Sequence, residues 1–198
     1  MQQSHSLDSW SDHIRKIAQP HAGKGDTLSA GVLDEPFRLV VCDQKPGCSP
    51  QPTPQREIGL WWALVDRAVD VDGLLESPTK GSLFQQGMYK AIEVWTDADL
   101  CGLHALWTLA RKRERTDWMK RVEGVRDWHL EHTQPDNATN RPWALHVFLL
   151  GQTPECNHYA ETLLHNCLAL RGFPDPLSAW ILIDAANRLD TYLAESPV

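Results

Sequence analysis

Three ten-residue segments of this chain align with one another at a constant offset of 42 residues. They are GLWWALVDRA at 59–68, CGLHALWTLA at 101–110 and WALHVFLLGQ at 143–152. Two adjacent columns of the alignment are apolar, and the column before them holds an aromatic or imidazole ring. These columns are Leu64, Leu106 and Phe148; Ala63, Ala105 and Val147; and Trp62, His104 and His146. A period of this length is typical of stacked helix pairs, because one helical hairpin cannot bury its own apolar face without a neighbour.

Helical periodicity continues through the rest of the chain from residue 56 onward. It predicts seven helices, over about 57–70, 82–95, 97–112, 116–132, 143–150, 154–171 and 176–194. Short connections make successive helices antiparallel neighbours, so we expect three hairpins and a closing helix. The predicted fold class is all-α: an array of antiparallel αα-hairpins, forming an α/α superhelix or partial toroid, with an N-terminal arm.

The first 55 residues have a different pattern. One amphipathic helix is expected within 1–20, followed by a loop over 21–36, and the apolar run FRLVVC at 37–42 predicts a short β-strand. Residues 45–55 carry four prolines and predict an extended connection. We therefore expect two parts, an N-terminal arm with its linker at 1–55 and a helical-hairpin repeat domain at 56–198.

The composition excludes several classes of protein. A formal net charge of −7 argues against nucleic-acid binding through a broad basic face. Five widely spaced cysteines imply no disulfide framework. The N-terminus lacks the pattern of a signal peptide, and no apolar run approaches the ~20 residues that cross a bilayer. We therefore expect a cytoplasmic protein with no membrane contact.

Two carboxylates are the candidate catalytic residues. Asp66 and Asp184 each follow a tryptophan by four residues, after Trp62 and Trp180 respectively, and each has apolar neighbours that would raise a carboxyl pKa. A pair of such groups can flank a glycosidic bond. The alternative is that each forms a structural ion pair with a neighbouring arginine.

The ring residues are the candidate ligand-binding residues: Trp62, His104, His146 and Trp180. Several Cys/His pairs also have a spacing compatible with zinc, although no HExxH or CxxC motif is present. Because tryptophan and histidine share one column of the alignment, these positions need a ring for packing before they need a metal ligand. We therefore predict no metal site.

A basic cluster follows the third predicted helix. It comprises Arg111, Lys112, Arg113 and Arg115, with Lys120, Arg121 and Arg126 further along. Such a cluster can bind a phosphate or an acidic partner. It can also be a solvated helix end, where cations offset the negative end of the helix dipole.

The hairpin period, together with the helix starts Asn140-Arg-Pro-Trp-Ala-Leu-His146 and Asp175-Pro-Leu-Ser-Ala-Trp180, resembles the layout of α/α-toroid enzymes. These are the six-hairpin glycosidases and the terpenoid-cyclase and prenyltransferase-like barrels. The resemblance covers 57–194 and implies hairpins arranged around a pocket, although a closed barrel of this kind would need a second chain. The DxDD and zinc-ligand signatures are absent, so no functional residue is carried over from these families.

The sequence therefore leaves two functional hypotheses. The first is a helical-repeat binding or scaffold module that uses its inner-helix face for a protein partner, with the arm and the strand at 37–42 mediating a homodimer. The alternative is a toroid-like enzyme or ligand binder acting on a carbohydrate or another cyclic substrate. No cofactor is predicted for either.

Overall fold

The computed structural model describes residues 6–23, 34–44, 54–75, 80–133 and 141–195. Every regular element in these ranges is helical, which confirms the predicted all-α class. The α-helices are α1 (Leu7–Ala18), α2 (Asp34–Val41), α3 (Arg56–Val65), α4 (Val71–Leu74), α5 (Ile92–Lys112), α6 (Thr116–His132), α7 (Leu145–Leu149), α8 (Pro154–Leu168) and α9 (Pro176–Glu195). Short 3-10 turns lie at Gln19–His21 and Gln86–Met88.

Contacts between residues divide the chain into two compact units. The terminal unit combines Met1–Thr27 with Asn140–Val198, and the central unit is Leu28–Thr139. The domain boundary predicted at residue 55 therefore lies inside the central unit, where α2 packs against α3. Most of the proline-rich linker on which that boundary was based lies outside the described residues.

In the terminal unit, the helices from the two ends of the chain pack against each other. The buried face of α1 holds Trp10, Ile14 and Ala18, at the spacing of one helix face, and α1 contacts α9 along its length. Arg15 of α1 forms an ion pair with Asp190 of α9 at the edge of this contact. The short helix α7 is buried and contacts both α8 and α9. The predicted N-terminal helix is confirmed, and it belongs to the terminal unit.

In the central unit, α5 forms the centre of the core. Every residue from 98 to 110 is buried, and α5 contacts both α3 and α6. A connection of three residues joins α5 to α6, so these two helices form the hairpin predicted over 97–132. Helix α2 covers α3 from outside, with the Phe37 ring edge-on to Trp61 at a centroid distance of 4.9 Å.

The strand predicted at 37–42 is wrong, because these residues belong to helix α2 and the turn that ends it. A short apolar run does not distinguish a strand from a buried helix, and here packing on α3 decides. The helix ends in a Schellman motif, in which Gln44 N donates to Leu39 O and Asp43 takes a positive φ of 48°. A homodimer formed by pairing of this strand therefore loses its basis.

Two further helices differ from the prediction. The helix expected over 57–70 ends at Val65, and the short helix α4 follows it. The helix expected over 82–95 does not form. Instead residues 82–91 are irregular, apart from one 3-10 turn, and α5 begins at Ile92.

The nine residues in the three alignment columns named above are all buried, with at most 6% of any residue exposed. The elements around them are unequal, because α3 has 10 residues, α5 has 21 and α7 has 5. The alignment thus identifies core positions. That the helices form a repeating array or a toroid stays a prediction.

Candidate functional site

The two candidate catalytic carboxylates lie in different units. Asp66 is the residue at which α3 ends, and its Oδ1 accepts a hydrogen bond from the backbone N–H of Ala68 at 2.9 Å. Asp184 is 3% exposed on α9, where Arg188 one turn later approaches it to 3.0 Å. Each carboxylate therefore has a local structural role, and for Asp184 that role is the ion pair expected from the sequence. Their catalytic role stays a prediction.

The four candidate ligand-binding rings are mostly core residues. His104 and His146 are fully buried, and Trp62 is 6% exposed. Trp62 packs in a cluster with Leu39 and Ile58, whereas Trp180 is half-buried on α9. Buried imidazoles offer no surface to a ligand in this conformation. These observations agree with the packing interpretation of the aligned column, and the binding role of the four residues stays a prediction.

The Cys/His pairs of the sequence do not converge on a metal site. Among the described residues, no group of three metal-ligating side chains lies close enough to hold an ion. Cys101 instead accepts a hydrogen bond from the indole N–H of Trp61 at 3.2 Å, and the ring of His104 lies 5.5 Å from the same tryptophan. On α6, His129 forms a hydrogen bond with the carboxylate of Asp99.

A buried polar cluster around Asp99 was not found by sequence reasoning. Its carboxylate is fully buried on α5 and accepts hydrogen bonds from the backbone N–H groups of Phe84 at 2.7 Å and Leu83 at 3.3 Å. The third partner is His129 Nε2 on α6, at 2.7 Å. Since a carboxylate only accepts, this nitrogen carries the hydrogen. The cluster holds the irregular segment before α5 against both α5 and α6. The only sequence signal for it is a carboxylate within an apolar helix.

Next to this cluster, Glu57 of α3 is 7% exposed and accepts a hydrogen bond from the Tyr89 hydroxyl at 3.2 Å. Burial raises the pKa of Glu57 above its usual value of 4.5, and the nearby charges of Asp97 and Asp99 add to this effect. Burial together with the Glu57 carboxylate also raises the pKa of Tyr89. Glu57 is buried and Tyr89 is half-buried, so their hydrogen bond links α3 to the irregular segment before α5.

One open site in the described part of the central unit is a basic pocket of about 540 Å³. It lies where α3 ends, α5 ends and α6 begins. Its lining residues are Arg67, Lys112, Arg113, Glu114, Arg115 and Trp118, and this set is called the basic pocket below. The turn between α5 and α6 is a Schellman motif, in which Arg115 N donates to Ala110 O and Glu114 has a φ of 53°. The left-handed residue thus turns the chain sharply and brings cations from both sides of the turn to one cavity.

Two of the cations are held by the end of α3. Lys112 Nζ donates to Leu64 O at 3.1 Å, and the guanidinium of Arg113 donates to Ala63 O. These carbonyls belong to the last turn of a helix, where the helix supplies no partner and the dipole is negative. The sequence predicted that these cations offset the end of their own helix α5, whereas their observed hydrogen bonds are to the end of α3. These bonds use one donor of each side chain and leave the others available.

The aromatic wall of the pocket is Trp118, on which two guanidinium groups lie. The Arg115 carbon Cζ is 4.1 Å from the ring centroid and that of Arg113 is 5.7 Å away. Arg115 also forms a two-fold hydrogen bond with Asp117, at 2.8 and 2.6 Å, which lowers the pKa of Asp117 to about 2. The indole N–H of Trp118 donates to Asp72 at 2.8 Å. The charge of Arg115 is thus matched within the protein.

The other three cations of the pocket are not matched in this way. Within the described residues, no carboxylate forms an ion pair with Arg67, Lys112 or Arg113. Burial lowers the pKa of Arg113, and the charges of the exposed Arg67 and of Arg115 lower it further. Four cations and one carboxylate, that of Glu114, thus line the open cavity, and an anion there would relieve the repulsion among the cations.

Arg121 and Arg126, which also belong to the basic cluster predicted from the sequence, do not line the basic pocket. Arg121 donates to the backbone oxygens of Gly81 and Ser82, at 2.9 and 2.7 Å, and so fixes the irregular segment. Arg126 pairs with its neighbour Asp127. The sequence located the cluster, but it did not show which cations share one cavity. Arg67 in particular lies outside the cluster predicted from the sequence.

Comparison with known protein families, with characterised proteins and with solved structures gave no match. The resemblance to α/α-toroid enzymes therefore stays a prediction. In the described part of the chain, no helix is both long and apolar enough to cross a membrane.

Proposed function

We propose that this protein is a binding protein and that its basic pocket takes an anionic group of the ligand, a phosphate or a carboxylate. The observation that supports the proposal is the convergence of Arg67, Lys112 and Arg113 on one open cavity, where none of them forms an ion pair with a carboxylate of the described residues. Neighbouring cations without an ion-pair partner repel one another. A bound anion relieves this repulsion.

The donors are also arranged for an anion. Arg113 and Lys112 are fixed by their bonds to the α3 carbonyls, and Arg113 lies over the Trp118 ring as well. Donors that are already held in place lose little side-chain freedom when a ligand binds, so less of the interaction energy is spent on ordering them. A guanidinium can meet two oxygens of a phosphate or carboxylate at once, which favours such groups over a spherical ion.

This proposal keeps the binding role predicted from the sequence and changes the surface that performs it. The inner-helix face contains His104 and His146, which are buried, so we assign the ligand contact to the basic pocket. A protein partner that carries a phosphate or a carboxylate side chain is compatible with this site. No observation favours the enzyme alternative with Asp66 and Asp184. The predicted homodimer stays untested.

The proposal is tested by titrating the protein with inorganic phosphate, pyrophosphate and citrate at low ionic strength, with binding followed by calorimetry and by amide chemical shifts. We expect shifts at the turn between α5 and α6. The Arg67→Gln variant removes a charge from an exposed side chain and should weaken pyrophosphate binding about fivefold or more, which corresponds to roughly 1 kcal/mol.

The matched control is Lys120→Gln, which removes one positive charge from an exposed position of the same unit outside the pocket. We expect this control to change the affinity less than about twofold, since exposed charges are screened by salt. Equal losses in the two variants would mean nonspecific attraction and would contradict the proposal. So would the absence of binding of all three anions to the unmodified protein.

A further inference from the structure

The terminal unit contains a second concavity, which differs in chemistry from the basic pocket. It is an apolar groove of about 430 Å³ lined by Trp10, His13 and Ile17 of α1 and by Glu161, Leu164, His165 and Leu168 of α8. This set is called the apolar groove below. A volume of this size lies within the range of roughly 300 to 1,000 Å³ that is typical of small-molecule sites.

The groove follows from the periodicity of its two helices. On α1 the lining positions are spaced by three and four residues, and on α8 they follow the pattern i, i+3, i+4, i+7. Each helix thus presents one continuous stripe to the groove. Within these stripes Trp10 and Leu164 are nearly buried and form the base, whereas His13 and His165 are exposed at the rim. The groove is therefore an apolar channel with a polar border.

Glu161 determines which ligand the border favours. Its side chain is half-buried, and within the described residues it pairs with no cation. The other polar side chains of the described lining are the two histidines, so Glu161 is its one carboxylate. A ligand carboxylate would add a second negative charge beside Glu161. A ligand ammonium would form an ion pair with it.

We propose that the apolar groove binds a small amphipathic amine, whose apolar body lies on the half-buried Ile17 and Leu168 and whose ammonium group pairs with Glu161. The imidazoles of His13 and His165 accept or donate further hydrogen bonds at the rim. The site is independent of the basic pocket, because its lining belongs to the other unit and its preferred charge is opposite.

The test compares three ligands that share one apolar body: octylamine, octanol and octanoate, titrated at pH 8 below the concentration at which they aggregate. Affinities come from calorimetry, and amide chemical shifts of α1 and α8 locate the site. We expect octylamine to bind about three to ten times more tightly than octanol, as for a partly screened ion pair, and octanoate to bind more weakly than octanol.

Substitutions then assign the preference to one residue. Glu161→Gln keeps the size of the side chain and should make the octylamine and octanol affinities equal. Glu155→Gln on the same helix removes the same charge from an exposed position outside the groove and should leave the preference intact. Equal binding of amine and alcohol by the unmodified protein would overturn the proposal. A preference that survives Glu161→Gln, or that is lost equally in Glu155→Gln, would do so as well.

Discussion

The buried carboxylate of Asp99 gives the sharpest prediction for the central unit. We expect Asp99→Ala to destabilise the protein strongly, because three donors converge on this one side chain: the backbone N–H groups of Leu83 and Phe84, and Nε2 of His129. Asp99 and His129 are both fully buried, so water does not replace the lost partner without a rearrangement. The perturbation therefore acts on a closed network.

The magnitude follows from the three donors that lose their acceptor. A buried polar group without a partner costs about 1 to 3 kcal/mol, so independent losses would total roughly 3 to 9 kcal/mol. The irregular segment that carries Leu83 and Phe84 can move outward and recover some hydrogen bonds with water, which favours the lower half of that range. We therefore expect a loss of about 3 to 5 kcal/mol, a large part of the roughly 5 to 15 kcal/mol that keeps a domain folded.

The assay is urea unfolding followed by far-UV circular dichroism, with hydrogen exchange at the Leu83 and Phe84 amides as a local readout. Asp99→Asn separates charge from shape: it keeps one acceptor oxygen and should cost more than about 1 kcal/mol, because its NH₂ group faces donors. Asp127→Asn, at an exposed carboxylate of α6, is the control and should cost less than about 0.5 kcal/mol. If Asp99→Asn were as stable as this control, or if the two amides kept their protection, the network would not hold the segment.

Three further predictions concern the same protein. Gly102→Ala should lower the free energy of unfolding in urea by about 1 to 3 kcal/mol, because the added Cβ would meet the rigid Phe84 ring at 2.6 Å. Gly124→Ala, with open space around it on α6, should instead stabilise the protein by up to about 1 kcal/mol, and a loss of stability in both variants would contradict the contact argument. Because burial raises the pKa of Glu57, the folded state binds the carboxyl proton more tightly than the unfolded chain does. The stabilisation from this proton is complete below the pKa of the unfolded chain and is lost as pH rises through the pKa of the folded state. Glu57→Gln should therefore flatten the unfolding free energy above pH 4.5, measured by urea titrations across pH, and an unchanged slope would refute the assignment. Burial raises the pKa of the Cys167 thiol to about 12, so iodoacetamide should label Cys167 far more slowly in the folded protein than in urea. Peptide mapping measures the two rates, and equal rates would contradict the burial of the thiol.

The sequence predicted helices well where the apolar period was long and the ends were marked locally. Helix α9 begins at the predicted Pro176, and α6 begins at Thr116, one residue before the start implied by the prediction that Thr116 is its N-cap. It failed where distant contacts decide. The run at 37–42 is helical because its apolar side chains pack on α3, and the segment after Ser82 stays irregular because its N–H groups bind Asp99 rather than a local helix. Neither partner is visible to a pattern of neighbouring residues.

The candidate site was predicted in the same partial way. The basic cluster near Arg113 was visible as a run of cations, and both of its interpretations, helix end and anion site, were open. Which cations share a cavity depends on where α3 ends, and α3 was predicted to continue past Asp66. Because α3 stops at Val65, its last carbonyls meet Lys112 and Arg113, and Arg67 lies on the chain that leaves the helix. Because the predicted end of α3 differs from the observed end by a few residues, the sequence could not show which side chains line the pocket.

The two interpretations of the basic cluster are compatible, and their combination decides which substitution is informative. Arg113 and Lys112 stabilise the end of α3, so their removal changes folding and ligand contact together. Arg67 is exposed and forms no ion pair within the described residues, so its removal changes mainly the charge that a ligand meets. The bonds to α3 hold two donors at fixed positions, and Arg67 adds a third charge at the open side. Because the end of α3 already holds these two donors, the proposed binding of an anion would require little additional ordering of them.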